Sequence, residues 1–246
     1  KQMVKRGVEL EILTTCVKEF SADWGTDYYK PGSYEEGGLK IQRFSVRERN
    51  KAAFDCVNYK LLHGQKRLSG EDEKIYINEM VNSPDLYEYI REHKDEYSVF
   101  AFIPYMFGTT YFGMQECAKK AVIIPCFHDE SYAYLRCFRR VYPKAAGMAF
   151  HAKPERRLAE RLYDLRNVLL LDAGSGMDVD LTFDKERFCK KYKIEEPFIL
   201  YAGRKDAGKN IDTLINYFRE YKKRHDSGRF SGLKLVLLGG GSVTIP

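Results

Sequence analysis

The sequence predicts an α/β protein made of two doubly wound parallel-sheet domains in succession, the second incomplete. Three observations carry this expectation. First, short unbroken apolar runs recur at 98–103, 121–125, 147–150 and 167–171, with helical segments at about 109–119, 132–138 and 154–164 between them. Strands that are apolar on both faces and alternate with helices belong to a parallel sheet covered on both sides. Second, the pattern stops at "DAGSGMDVDLTFD", which is Gly-rich, acidic and aperiodic, and then restarts. Third, the restart reads strand 198–203, turn, helix 210–225, strand 233–238, with Ile211, Leu214, Ile215 and Phe218 on one helix face. That is the apolar stripe a sheet-packing helix requires.

Taken in order, "KQMVKRG" reads as the last turns of a helix with basic residues and a terminal glycine, and "VELEILTT" alternates as a strand. The strand expected before that helix is absent. A loop rich in Gly and Tyr covers 25–38, "LKIQRFSV" is the next strand, and 51–95 is helical with breaks near Gly70 and Pro84. The crossovers between the later strands should be right-handed, which winds the sheet on both faces. The expected domains are 1–172, a linker at 173–196 that includes the charged helix "KERFCKKYKI", and 197–246. The chain starts with Lys and stops just after an apolar strand and a Gly-rich turn, so it is expected to be cut at both ends.

The 246 residues are 44% hydrophobic and 31% charged, which is enough apolar material for a sizeable core. A formal charge of +6, with Lys and Arg interleaved among Asp and Glu, does not favour a nucleic-acid partner. The six cysteines lack CxxC spacing, which argues against a zinc framework or disulfide scaffold and for a reducing compartment. The longest apolar run, "VFAFIPYMFG" at 99–108, is about half the roughly 20 residues a spanning helix needs, and no signal peptide opens the chain. A cytoplasmic protein is expected.

The chemistry concentrates in "FILYAGRKDAGKN", 198–210. In an open parallel sheet, ligands sit outside the carboxyl ends of the strands, and here the turn also leads into a helix N-terminus that attracts anions. Arg204 offers forked donors to phosphate oxygens and Lys209 a mobile point charge. Gly203 and Gly208 let the backbone turn tightly, and Asn210 is the expected helix N-cap. Together these describe a diphosphate cradle; a polar surface turn that happens to hold Arg and Lys is the alternative. The spacing matches neither the Walker loop nor GxGxxG, which disfavours a nucleoside triphosphatase or a dehydrogenase.

At this point the residues resemble a family. "PFILYAGRKDAGKNIDTLINYF" followed by "LKLVLLGGG" is similar to the donor-domain start of the family 4 retaining glycosyltransferases. "IIPCFHDESYAYL", "AKPERRLAERLY", "GSGMDVD" and "ERFCKKYKI" fall in that family's order and rough spacing, so the resemblance covers most of the chain from about residue 98. It implies a GT-B type fold, with two Rossmann-like domains, and transfer of a sugar from a nucleotide-sugar donor (UDP-, GDP- or ADP-sugar) with retention and without a cofactor. Arg204 and Lys209 match the pair that grips the donor diphosphate. His128 matches a residue that faces donor sugar and phosphate. Gly239, Gly240 and Gly241 lie where backbone approaches the nucleotide. The family's N-terminal strand with its GG loop and its downstream acidic motif are not in this sequence, so activity of this stretch by itself is in question. A glycan or lipid-linked acceptor, in glycan or surface polysaccharide synthesis, is the implied partner.

Other readings stay open. Asp178 and Asp180, in "DVD", fit a metal-dependent GT-A type transferase, against the simpler reading of a solvated acidic linker. Cys126, His128 and Asp129 invite a thiol nucleophile or metal site, against a structural cysteine and a satisfied histidine. "RCFRR" and "KPERR" read first as solvated helix faces, with peripheral contact at the inner face of an anionic membrane as the alternative. A nucleotide- or sugar-binding fragment without turnover is the second function class.

Overall fold

A computed structural model describes residues 2–177, 179–225, 227–228 and 231–241. The chain divides into two compact units, Lys1–Gly176 and Met177–Pro246. The segment expected as a linker is thus split, and the helix it contains belongs to the second unit.

The first unit opens with α1 (Gln2–Lys5), β1 (Glu11–Thr15), β2 (Gly32–Glu36) and β3 (Leu39–Phe44). β1 pairs with β3 in parallel, and β2 pairs with β3 antiparallel, with Glu36 opposite Leu39. The stretch 25–38 is therefore not wholly a loop. Gly37 and Gly38 both take left-handed backbone (φ 59° and 78°), which makes a two-residue hairpin turn of the twist that suits paired strands.

Three helices follow: α2 (Lys51–Leu62), α3 (Gly70–Glu79) and α4 (Pro84–His93). Each start is fixed locally. Asn50 accepts a hydrogen bond from the Ala53 amide and Ser69 from the Asp72 amide, both at 3.0 Å, and Pro84 occupies a first-turn position after Ser83. These side chains satisfy amides that a helix N-terminus otherwise leaves unpaired.

Then come β4 (Phe100–Phe102), α5 (Gly108–Glu116), β5 (Ala121–Ile123), α6 (Arg136–Val141), β6 (Gly147–Phe150), α7 (Lys153–Leu162) and β7 (Leu169–Asp172). Strands β4-β5-β6-β7 form an all-parallel sheet in chain order. Where one doubly wound sheet is expected, the strands of this unit pair in two sheets, because β1 and β4 are not hydrogen-bonded to each other. The Tyr97 hydroxyl does donate to the Glu11 carboxylate, tying the segment that leads into β4 to the start of β1. The α/β class with parallel sheets stands. The core gathers the buried faces of these elements around Tyr76, Tyr105, Phe138, Tyr142 and Phe150, with Phe138 stacked on Tyr142 at 5.0 Å and 9°. On α7 the buried residues are Glu155, Leu158, Ala159 and Leu162, a single helix face.

The second unit holds α8 (Lys185–Tyr192), β8 (Phe198–Ala202), α9 (Ile211–Arg224) and β9 (Lys234–Leu238). β8 and β9 are parallel, joined through α9 in a βαβ unit. Asp184 caps α8 by accepting from the Arg187 amide at 2.8 Å. Of the expected apolar face of α9, Ile211 is fully buried and Leu214, Ile215 and Phe218 are half-buried. No helix among the described residues is long and apolar enough to cross a membrane.

Candidate functional site

The carboxyl ends of β8 and β9 lie side by side, because the strands are parallel and in register from Phe198–Lys234 to Ala202–Leu238. The two chain segments leaving them stay joined: the Gly203 amide donates to the Leu238 carbonyl at 2.9 Å and the Lys205 amide to the Gly240 carbonyl at 2.8 Å. This closeness explains the glycines of β9's exit. Gly239 has φ 133°, and a Cβ added there would sit 2.1 Å from the Gly203 carbonyl oxygen. A Cβ at Gly241, at φ 153°, would sit 2.2 Å from the Lys205 carbonyl oxygen. Neither position admits a side chain unless backbone moves. Gly240, by contrast, has open space around its Cα.

Gly203 and Gly208 are not in left-handed backbone; a Cβ added at Gly203 would sit 3.0 Å from the Tyr201 hydroxyl. Gly203 matters as the surface against which Gly239 packs. The left-handed residue of the turn is Asn210, at φ 55°. It stands just before α9 but its side chain makes no capping hydrogen bond, so the expected cap is corrected. A 3-10 turn at Ala207–Lys209 leads into the helix instead, and Asn tolerates the left-handed position better than most residues.

The organising side chain of this turn is Asp206, which the sequence reading passed over. One carboxylate oxygen accepts the Lys209 amide at 3.1 Å, and the other lies 3.2 Å from Arg204 Nε. The Tyr201 hydroxyl donates to the Arg204 carbonyl at 2.7 Å and pins the turn from the strand side. Arg204 is 76% exposed and Lys209 is exposed as well, so both cations of the predicted pair face solvent at the sheet's carboxyl edge. The signal for Asp206 was an acid three residues ahead of Lys209, the spacing at which a short carboxylate reaches a turn amide.

In the first unit His128 follows β5 and is exposed, lining a cavity of about 400 Å³ with Asp129, Pro154, Arg157 and Arg161. The segment bearing it is clamped by Glu155, a buried acid on α7 that sequence reading placed on a solvated face. Glu155 accepts the Phe127 amide at 2.9 Å through one oxygen and the His151 amide at 2.7 Å through the other, linking the exits of β5 and β6. A charge buried this way is tolerated because both oxygens are paired. Asp129 accepts from the Tyr134 hydroxyl at 2.7 Å, Lys66 at 3.0 Å and Arg161 at 3.0 Å. These partners, the tyrosine foremost, hold its carboxyl down at about 2.

Cys126 is half-buried at φ 58°, its Sγ 4.0 Å from His151 Nδ1. Burial, and then the Glu155 carboxylate, push its thiol up, the opposite of what a thiolate nucleophile needs. Asp178 lies outside the described residues, and Asp180 is exposed. Among the described residues, no three His, Cys, Asp or Glu side chains are grouped as metal ligands. Of the basic stretches, Arg139 and Arg140 are solvated, while Arg136 donates to buried Glu73 at 3.0 Å.

A scan of the chain against protein-family models finds no match, and a search of the curated proteins finds none.

Proposed function

We propose that the protein is a GT-B type retaining glycosyltransferase, moving a sugar from a UDP-, GDP- or ADP-sugar to a carbohydrate or lipid-linked acceptor in glycan synthesis. The observation that carries the reading is the turn 203–210. It stands at the carboxyl edge of a parallel sheet, is braced by the glycines of the neighbouring strand exit, and presents Arg204 and Lys209 ahead of a 14-residue helix. Cations and helix amides at one sheet edge favour a diphosphate. They also stabilise charge that grows on the leaving nucleoside diphosphate, which is the catalytic part of their work. Asp206 holds the turn, and a phosphate bound there competes with it for Arg204. Gly203, Gly239 and Gly240 provide the backbone surface beside the nucleotide, and His128 is assigned to donor sugar and phosphate on the resemblance alone. The acceptor is assigned to the first unit.

The experiment is thermal stabilisation by UDP-, GDP- and ADP-sugars, repeated with Lys209→Ala, followed by a sugar-transfer assay on the same preparation. Stabilisation by one donor class, lost in the variant and followed by transfer, supports the proposal. Stabilisation without transfer makes the chain a binding fragment. A dependence on manganese together with Asp178 and Asp180 would transfer the reading to the GT-A class.

A further inference from the structure

The loop that follows β5 is pinned on both sides of His128, while the histidine side chain is left unengaged. Glu155 accepts the Phe127 amide at 2.9 Å, and the buried Phe127 ring packs on Tyr105 and Tyr163 with centroids 4.5 and 5.5 Å away. The Glu130 amide donates back to the His128 carbonyl at 2.8 Å, and the Glu130 carboxylate accepts the hydroxyl of fully buried Tyr105 at 3.0 Å. Asp129 accepts from Tyr134, Lys66 and Arg161. The His128 imidazole, exposed and lining the cavity of about 400 Å³, has no hydrogen bond or ion pair among the described residues.

This order is held against local preference. Cys126 has left-handed backbone, φ 58°, which crowds the Cβ of any residue but glycine. Such a residue persists where its surroundings over-determine it, and these conformations gather at functional sites. The anchors are not equal. Asp129 is 54% exposed, so its ion pairs are screened and individually weak. The bond from Tyr105 holds the Glu130 side chain rather than the backbone. Glu155, 6% exposed, holds the backbone amide that lies between the strained residue and the histidine. Its other oxygen takes the His151 amide at 2.7 Å, which fixes the carboxylate to the exit of β6. Without Glu155 the Phe127 amide loses its acceptor and Cys126 is released to relax, which redirects the side chains that follow it, His128 included.

We propose that Glu155 is a positioning residue that acts through His128, holding the imidazole at the cavity for an incoming ligand. That this ligand is a nucleotide-sugar rests on the glycosyl-transfer reading; the positioning does not.

The test has two arms, both built on Glu155→Gln, which keeps the shape of the side chain but turns an NH2 toward one of the two backbone donors. In the first arm, 15N relaxation reads backbone order. Order parameters near about 0.85 at residues 126–129 of the unaltered protein are expected to fall below about 0.6 in the variant, with α2 to α7 unchanged. Order that stays high at 126–129 in the variant, or is already low in the unaltered protein, overturns the proposal. The second arm is a double-mutant cycle of Glu155→Gln and His128→Ala, read by titration with UDP-glucose, GDP-mannose and ADP-glucose. With the donor that binds, each single change is expected to weaken binding roughly tenfold, the scale of one hydrogen bond. The double variant should be no weaker than His128→Ala, because Glu155 has nothing to position once the imidazole is gone. A glutamate with a merely structural role would add its loss to that of His128→Ala, and such additivity in variants that circular dichroism shows folded overturns the proposal. Glu155→Gln that binds as tightly as the unaltered protein overturns it too. If none of the three nucleotide-sugars binds, the donor reading fails and the relaxation arm alone decides the positioning.

Discussion

Asp206 gives the sharpest consequence of the proposed donor site, because its two oxygens do different work. One accepts the Lys209 amide and shapes the turn; the other pairs with Arg204, which a diphosphate must claim. Asp206→Asn keeps a carbonyl acceptor for the amide and deletes the competing charge. The ion pair is largely solvent-exposed on the arginine side, so it contributes only about 0.2–1 kcal/mol, and its removal should tighten diphosphate binding by roughly 1.4- to 5-fold. Asp206→Ala deletes the charge and the turn acceptor together. Loss of such a cap costs about 0.5–2 kcal/mol of local order, which should place its affinity roughly 2- to 30-fold below that of the Asn variant. Isothermal titration with UDP, GDP and ADP, at low and high salt, measures both. If Asp206→Asn weakens binding as much as Asp206→Ala, the carboxylate is part of the site rather than its competitor, and the reasoning fails.

Three further outcomes are expected. Gly239→Ala forces a Cβ against the Gly203 carbonyl at a strained φ, costing at least about 1–3 kcal/mol from the backbone conformation alone, and should abolish nucleotide binding. Gly240→Ala, with open space around it, should leave stability in urea unchanged. Glu155→Ala leaves the Phe127 and His151 amides without their acceptor, at about 1–3 kcal/mol each, and urea denaturation should show the loss, with Glu155→Gln intermediate. Mass-spectrometric alkylation at pH 8 should label exposed Cys56 first. Cys117 and Cys137, whose thiols burial pushes up to about 12, should react only after denaturant is added.

Where burial follows a period, the sequence was readable. The strands at 121–123 and 147–150 and the helix face of Ile211, Leu214, Ile215 and Phe218 stand where apolar spacing puts them. The hairpin at Gly37–Gly38 was written just as locally, in a glycine pair between two strand-forming runs, and was passed over because its first strand carries Tyr and Glu rather than a buried run. Strand pairing was not readable in the same way. That β1 takes β3 as its partner and not β4 depends on contacts between distant segments, and the local pattern of each strand is the same in either case. The site shows the same division. Arg204 and Lys209 were visible as cations at a strand exit. Asp206 and Glu155 were hidden because a carboxylate that binds backbone amides looks, in sequence, like any charge in a turn or on a helix face.

The central claim is that Arg204 and Lys209 form a diphosphate grip. Its most direct test compares UDP, GDP and ADP with the corresponding monophosphates by titration, in the unaltered protein and in the Arg204→Ala/Lys209→Ala variant. The account predicts that at least one diphosphate binds more tightly than its monophosphate and that this preference vanishes in the variant. A folded protein that binds none of the diphosphates, or that keeps its preference without either cation, would contradict it.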